Sequence, residues 1–326
     1  MNHSLFRNFT VVSALVALAF PGVRAHAAPL GLDISEAQDF NLLTWGNATF
    51  LNSDTEGRAA VGGNATFNSY SIGTHATVSD PLTGVLLVGG NLTAGDGQVF
   101  NGSIYVGGSY SGPGYNLNSA AGSVTSSGVG KTNLPFDFAA AQTALTAKSL
   151  AFGSETANGT SLIEWSTLTL TGTDASLNIF TIDAATLAAA STLTINVTAG
   201  SQVLINVSGT AVNFGSMGIN GTFNADDTLF NFFDATSLTM SSIGIEGSIL
   251  APLADVTFLS GQMNGQLIAN SFGGAAWGVG ELHNHLFNNQ TPPPSVPDST
   301  NTAGLLLGAL ALGGLALQRF GRASRN

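Results

Sequence analysis

Cysteine is absent from this 326-residue chain, and lysine and arginine are scarce. The lack of cysteine excludes disulfide bonds, thiolate metal sites and a cysteine nucleophile. Five of the eight basic residues lie in the two terminal segments, so residues 28–298 carry three basic and nineteen acidic side chains, a net charge of −16. Because phosphate binding requires clustered Lys and Arg, this composition argues against nucleic acid and anionic membrane surfaces as partners.

Long apolar runs are also missing, except near the two ends of the chain. At the N-terminus, Arg7 precedes an apolar run over residues 11–20, and Ala25 and Ala27 form a small-x-small cleavage site. This layout predicts a signal peptide over residues 1–27, removed after Ala27 by signal peptidase. A buried first helix is the alternative, but the run is only about half the length that a membrane span needs.

The C-terminal end has a second tripartite pattern. A Pro-rich linker over residues 289–302 leads into a segment, residues 303–326, that is apolar as far as Leu317 and then basic. Positive charge after an apolar stretch predicts at least transient membrane anchoring with the basic tail in the cytoplasm. The segment directly before it resembles the VPDSG variant of PEP-CTERM sorting signals, which exosortase-like enzymes process: Val296, Pro297, Asp298 and Ser299. Thr300 stands where that pattern has Gly, so both retention and cleavage of the tail stay open.

Glycine, threonine and asparagine dominate the remainder, and this composition favours short strands joined by tight turns. Residues 166–170, 193–197 and 203–207 alternate apolar with polar side chains, as half-buried strands do. One helix is predicted over residues 136–151, and a shorter one begins at Asp33.

An internal repeat sets the fold class. The pattern x-(Glu/Asn)-Gly-x-apolar-x-(Val/Ala) occurs four times, and Val-Gly-Gly occurs at 61–63, 88–90 and 106–108. The last two copies of each are 18 residues apart, about one coil of a β-solenoid. We therefore predict a mainly β, right-handed β-solenoid (β-helix) domain over residues 28–288 with one packed helix, with a β-sandwich as the alternative.

Several segments of this domain are similar to the choice-of-anchor A family of surface proteins. They span nearly all of residues 33–288 in order: DFNLLTWGN at 39–47, SDTEGRAAVGGNATF at 53–67, the FDFAAAQTALTAKSLA helix, GSILAPLADVTF at 247–258, MNGQLIANSF, and GELHNHLF at 280–287. The resemblance implies an extracellular β-solenoid with a helix packed along it and an adhesive or matrix role.

Catalytic signatures are not recognised in the sequence. The nearest cluster of carboxylates is Asp226, Asp227, Asp234 and Glu246, and adjacent acids on a strand face opposite sides, so the first two are expected to cap a turn. Three basic residues are too few to hold a polyanionic substrate. We predict no enzymatic activity and no cofactor.

A metal site has weak candidates in Glu281, His283 and His285, since alternate residues on a strand share a face. A polar closing turn hydrogen-bonded to backbone is the favoured interpretation, so no metal site is predicted.

These patterns predict an exported, non-catalytic display protein at the cell surface or in the extracellular matrix. Its hydroxyl-rich faces would contact extracellular polysaccharide, another cell or a second copy, with four tyrosines as candidate sugar-stacking positions: Tyr70, Tyr105, Tyr110 and Tyr115. Two alternatives are an ice-binding or surface-binding module with threonines in register, and a polysaccharide-active β-helix enzyme.

Overall fold

The computed structural model describes residues 31–288 except residues 38, 78–83, 113–115 and 119–124. The predicted signal peptide with Ala25 and Ala27, the linker with Val296 to Ser299, the C-terminal segment 303–326 and Tyr115 lie outside the described residues. All described residues belong to one compact unit, Gly31–Thr291. In this part of the chain, no helix has the length and apolar character needed to cross a membrane.

Short strands are the commonest elements of the described chain. The helices are α1, Phe138–Gly153, and α2, Ala184–Ala188, with 3-10 turns at Ser35–Ala37, Lys131–Asn133 and Ala225–Asp227. The strands, numbered β1 to β25 in chain order, are Leu42–Thr44, Ala48–Thr55, Ala59–Val61, Ala65–Ile72, Leu86–Val88, Leu92–Ala94, Gly97–Phe100, Ile104–Val106, Tyr110–Ser111, Asn116–Asn118, Thr125–Ser126, Thr160–Glu164, Thr167–Thr171, Leu177–Asp183, Thr192–Asn196, Gln202–Ser208, Ala211–Gly215, Gly218–Gly221, Thr228–Asn231, Ser237–Ser241, Ile243–Glu246, Ser248–Phe258, Gly261–Asn264, Leu267–Gly273 and Glu281–His283.

These strands stack into three faces. Face A contains, in spatial order, β14, β16, β19, β22, β24, β1, β3, β5, β8 and β11. Face B contains β17, β20, residues 255–258, 271–273, 48–51 and 65–68, β6 and β9. Face C contains β13, β15, β18, β21, β23, β25, residues 53–55 and 70–72, β7 and β10.

The pairing confirms the predicted β-solenoid. Every ladder between the described strands is parallel except that of β12 with β13. The β-sandwich alternative is therefore wrong, because a sandwich is built from antiparallel strands. The predicted strands at 166–170, 193–197 and 203–207 are confirmed within one residue as β13, β15 and β16.

Chain order and stacking order differ. Strand β1 pairs on one side with β3, through Leu42 and Ala59, and on the other side with β24, through Leu42 and Leu267. The chain thus enters in the middle of the stack and builds coils towards one end. After α1 it starts again at the other end, and its last coils meet the first strand. This order could not be read from local sequence patterns.

The packed helix on face A is also confirmed, two residues later than predicted. Asp137 caps its N-terminus by accepting from the backbone N–H groups of Ala139 and Ala140. The face of α1 that packs on the solenoid is apolar and includes Ala141 and Leu145. It meets outward side chains of face A, which form a second apolar cluster: Leu177, Ile179, Leu204, Leu229, Leu250 and Ile268.

A buried polar network fixes this helix. Asn206 donates to the carbonyl of Phe152 at 2.6 Å, and Asn231 donates to the carbonyl of Ser149 at 2.9 Å. Asn231 also donates to the Asn206 side chain, and the Ser149 hydroxyl donates to Asn231. The two asparagines are in register on neighbouring strands and fully buried. They hold the C-terminal end of α1 over β16 and β19, the second and third strands of face A.

Candidate functional site

Face B carries an outward row made mostly of small polar side chains. Because strand side chains alternate between interior and solvent, one position of each coil faces outward beside a buried apolar neighbour. The residues in register at this position are Asn213, Thr239, Thr257, Gly273, Thr49, Thr66, Thr93 and Ser111. Neighbouring members are about 4.8 Å apart, the spacing of paired strands. The row contains five threonines and is named the threonine row below.

A second column borders this row at the corner between faces A and B. The side-chain carbonyl of Asn47 accepts the backbone N–H of Asn64 at 2.8 Å, Asn64 accepts that of Asn91 at 2.8 Å, and Asn91 accepts that of Ser109 at 2.9 Å. The repeated glycine pairs precede these residues. A Cβ on Gly63 would lie 2.6 Å from Asn47 Oδ1, so only glycine lets the corners stack this closely. The Val-Gly-Gly repeat is thus the sequence trace of this column.

Face C has a shorter hydroxyl array. The outward positions of β13 and β15 are Thr167, Thr169, Thr171, Thr192 and Thr194. Thr194 donates to Asn220 on β18 at 2.9 Å. Farther along face C the outward positions become acidic, with Glu246, Glu281 and Asp54. Among the described strands, only those of face B therefore present threonine over most of their coils.

The four candidate tyrosines differ in position. Tyr70 is a correction to the sugar-stacking prediction, because its ring is buried and its hydroxyl is 2.9 Å from the Thr55 hydroxyl. Tyr105 and Tyr110 are partly buried against the two apolar clusters. Tryptophans were missed by the sequence analysis: Trp165 is 98% exposed and Trp277 is 63% exposed. Their flanking turn residues, such as the glycines around Trp277, are the signal that could have identified them.

The metal-ligand candidates separate in space. His285 Nδ1 lies 3.0 Å from Asp226 Oδ1, and His285 does not join Glu281 and His283. Glu281 and His283 are joined instead by Glu56, and the donor atoms of these three residues lie within 4.8 Å of one another. Each also has protein partners: His283 Nδ1 lies 2.6 Å from Asn264 Oδ1, and Glu56 accepts the backbone N–H of Asn284. This group joins the first coils to the last one, and we assign no ion to it.

Asp54 lies beside this group and has a displaced pKa. Burial raises the pKa of Asp54 to about 6, the negative charge of Glu281 and a side-chain hydrogen bond with it add to the rise, Glu56 adds less, and His283 opposes it. Burial likewise disfavours ionised Glu56, but hydrogen bonds from Asn284 and His75 outweigh it and lower its pKa.

Replacing Asp54 by Asn should change how stability depends on pH. The pKa of Asp54 in the folded state is above its ordinary value of 3.8, so its stabilising protonation is complete below about pH 4 and lost as pH rises through about 6. At pH 7, Asp54→Asn should raise the free energy of unfolding by about 1 kcal/mol, because partial exposure screens the roughly 2.7 kcal/mol of a two-unit shift. Urea titrations at pH 4 and pH 7 measure this difference. An equal difference at both pH values contradicts it.

The four carboxylates that lie close together in the sequence, from Asp226 to Glu246, make structural contacts within the fold. Asp226 and Asp227 belong to the 3-10 turn Ala225–Asp227, as the prediction of a capped turn requires, and Asp227 accepts from the Asn288 side chain. Asp234 accepts the backbone N–H of Gly209, and Glu246 accepts from Asn264. These contacts place them at separate corners and faces, so no pair of them converges across a groove.

Comparison with known proteins shows which protein family this chain matches. A family model described as "Putative Ice-binding-like adhesive domain" matches residues 33–284. No curated protein matches the chain. Among solved structures, the ice-binding protein of the Antarctic ascomycete Antarctomyces psychrotrophicus is 16% identical, with a TM-score of 0.40 over 80% of this chain and 100% of that one. An ice binding protein from an Antarctic Biological Consortium is 10% identical, with a TM-score of 0.27 over 84% and 94% of the two chains.

Proposed function

The chain belongs to the family described as "Putative Ice-binding-like adhesive domain", and on that premise we propose that it is a non-catalytic adhesive protein that acts outside the cytoplasm through face B. The proposal includes export by the signal peptide and recognition of Val296 to Ser299 by an exosortase-like enzyme, as the choice-of-anchor A resemblance implies. Sequence patterns support these two steps.

The threonine row is the observation that carries the proposal. Hydroxyl groups both donate and accept hydrogen bonds, so a row of them can pair with a hydrated polymer in many positions. Each contact is weak, but six hydroxyl groups in a row of eight strands gain affinity by simultaneous engagement. Extracellular polysaccharide, a surface component of another cell, or a second copy of the chain would meet these requirements.

The positions of the basic side chains favour an uncharged ligand for the threonine row. The three basic residues of the described chain all have partners: Arg58 donates to the carbonyl of Gly84, Lys131 to that of Gly62, and Lys148 to Asp33 and Glu36. None of these partners lies in the threonine row. An anionic ligand would therefore find no cation on this row.

Replacing three threonines of the row by tyrosine should strongly reduce adhesion without unfolding the protein. The triple variant Thr49→Tyr, Thr66→Tyr, Thr93→Tyr places bulky groups on three exposed adjacent positions. Retention of the purified protein on a hydrated neutral polysaccharide gel should fall about ten-fold or more, because the flat contact is lost over three coils. The matched variant Thr169→Tyr, Thr171→Tyr, Thr194→Tyr alters face C and should keep wild-type retention. Equal loss in both variants, with both folded by circular dichroism, contradicts the proposal.

Ice is the second candidate ligand, and the regular spacing of the threonine row favours it. A crystalline surface requires ligand groups at repeated distances, which the ladder provides at about 4.8 Å per coil. Wild-type protein should then restrict ice-crystal growth in a nanolitre osmometer, and the face B variant should not. Unrestricted growth with wild-type protein that still adheres to the gel excludes ice as the ligand.

A further inference from the structure

The threonine row is interrupted once, where Gly273 stands between Thr257 and Thr49. Gly274 follows, so two consecutive positions have no side chain. The gap opens a depression of about 510 Å³ on face B, whose floor and walls include Val256, Asp255 and Asn270. Its volume is in the range of small-molecule sites, although it is open to solvent.

Polar atoms in this depression have hydrogen-bonding capacity left over. Asp255 Oδ1 accepts from Asn270 Nδ2 at 2.7 Å and from Ser271 Oγ at 2.6 Å, while Asp255 Oδ2 has no protein partner in the described part of the chain. Asn47 accepts with its side-chain oxygen, which leaves its Nδ2 group to donate. The hydroxyls of Thr49 and Thr257 also line the depression. Donors and acceptors therefore lie side by side, as the recognition of adjacent sugar hydroxyls requires.

The charge of this depression limits the ligand. Asp255 is the one ionisable residue among those that line it. A carboxylate repels an anionic ligand, and a single carboxylate among amides and hydroxyls is a poor cage for calcium, which takes six to eight oxygen ligands. A neutral, hydroxyl-rich molecule suits this set of groups.

An exposed aromatic ring lies close by in the chain. Gly274 begins the loop that connects face B to face C, and Trp277 is three residues farther on. Reciprocal hydrogen bonds between Ala275 and Gly278 close the loop, and Asn52 Nδ2 donates to the Trp277 carbonyl at 2.9 Å. This loop starts at Gly274, which lines the depression, and carries an indole that is 63% exposed. An aromatic face at the rim of a polar groove can stack on the apolar face of a sugar ring.

We propose that this depression is a binding subsite for a short segment of a neutral glycan, with Asp255 and Asn270 bonding its hydroxyls and Trp277 stacking on a ring. The inference rests on the proposed function, since it assigns a preferred contact point within the adhesive face. It adds recognition of one chain segment to the general contact made by the threonine row.

The test uses soluble hexasaccharides, namely cello-, laminari- and maltohexaose, with hexagalacturonate as the anionic comparison. Gly273→Tyr fills the depression, and the backbone tolerates it because a Cβ there meets only Thr49 Cβ at 3.9 Å. Asp255→Asn keeps an Oδ1 acceptor and replaces the unpartnered oxygen with a donor. Trp277→Ala removes the ring. Thr171→Tyr is the control, at an exposed position on face C and outside the depression. Titration calorimetry gives the affinities, and the polysaccharide gel gives adhesion.

At least one neutral hexasaccharide should bind the wild-type protein more tightly than hexagalacturonate does. Gly273→Tyr, Asp255→Asn and Trp277→Ala should each weaken that binding about ten-fold, while Thr171→Tyr leaves it unchanged. Absence of hexasaccharide binding by wild-type protein that adheres to the gel overturns the subsite and leaves the proposed function standing. Equal weakening by Thr171→Tyr also overturns it. If the wild-type protein neither binds a hexasaccharide nor adheres to the gel, the proposed function itself is wrong.

Discussion

Gly89→Val should destabilise the solenoid by about 3 kcal/mol, because the new side chain would overlap the neighbouring coil. A Cβ on Gly89 would lie 2.5 Å from the carbonyl oxygen of Gly62, far inside van der Waals contact. The backbone cannot move away freely, since the N–H of Gly89 donates to Val61 at 2.7 Å and that of Gly90 donates to Gly63 at 2.8 Å. In a domain of this size, the loss corresponds to a fall in Tm of about 10 °C.

A matched substitution isolates the effect of the corner. Gly218 has no atom within 4 Å of an added Cβ, and it is exposed on face C. Gly218→Val should therefore leave the unfolding midpoint within about 2 °C of the wild-type value. Thermal and urea unfolding followed by circular dichroism measure both variants. If the two valine variants are equally stable, the glycine column does not set the stacking distance.

Asn41→Leu should cost about 4 kcal/mol, because Asn41 joins the first coil to the last. Its side chain is fully buried and donates to the carbonyls of Gly265 at 2.7 Å and His283 at 2.9 Å. It also accepts the backbone N–H of Gly57 at 3.1 Å. Leucine has a similar volume but cannot bond any of the three, so buried backbone groups would lose their partners.

The location of the damage distinguishes this junction from general instability. In Asn41→Leu, limited proteolysis should cut first in residues 31–58 and 281–288, where the first and last coils meet. Asn213→Leu is the control, since Asn213 is exposed on face B and has no hydrogen bond from its side chain among the described residues. Its stability should match the wild-type value within about 0.5 kcal/mol. Uniform proteolysis along the whole chain would contradict a closing role for Asn41.

Local patterns predicted the elements of this fold well. Alternation placed β13, β15 and β16, and the helical spacing of apolar residues placed α1 within two residues, because these signals come from neighbours in sequence. The Val-Gly-Gly copies predicted coils one above another, and Val61, Val88 and Val106 are indeed in register. The first two copies are 27 residues apart rather than 18, and the longer interval falls between Ile72, where β4 ends, and Leu86, where β5 begins.

The stacking order of the strands and the burial of certain side chains could not be predicted from local patterns. The pairing of Leu42 with Leu267 joins residues from opposite ends of the domain, and neither local sequence carries a trace of it. Tyr70 is a candidate sugar-stacking position in the sequence, yet three residues after inward Phe67 the strand turns towards face C and the Tyr70 ring enters the interior. Asn206 and Asn231 lie at strand positions that point away from the solenoid interior. They are buried because α1 covers this part of face A.

The central claim is that the threonine row of face B is the contact surface, and the lack of cysteine allows a direct measurement. Single cysteines at Thr66 on face B and at Thr171 on face C, each labelled with a polarity-sensitive fluorophore, report which face loses water on binding. With the polysaccharide gel, the emission of the Thr66→Cys conjugate should shift to shorter wavelength while that of the Thr171→Cys conjugate stays unchanged. A shift at Thr171→Cys alone would place the contact on face C and contradict the account.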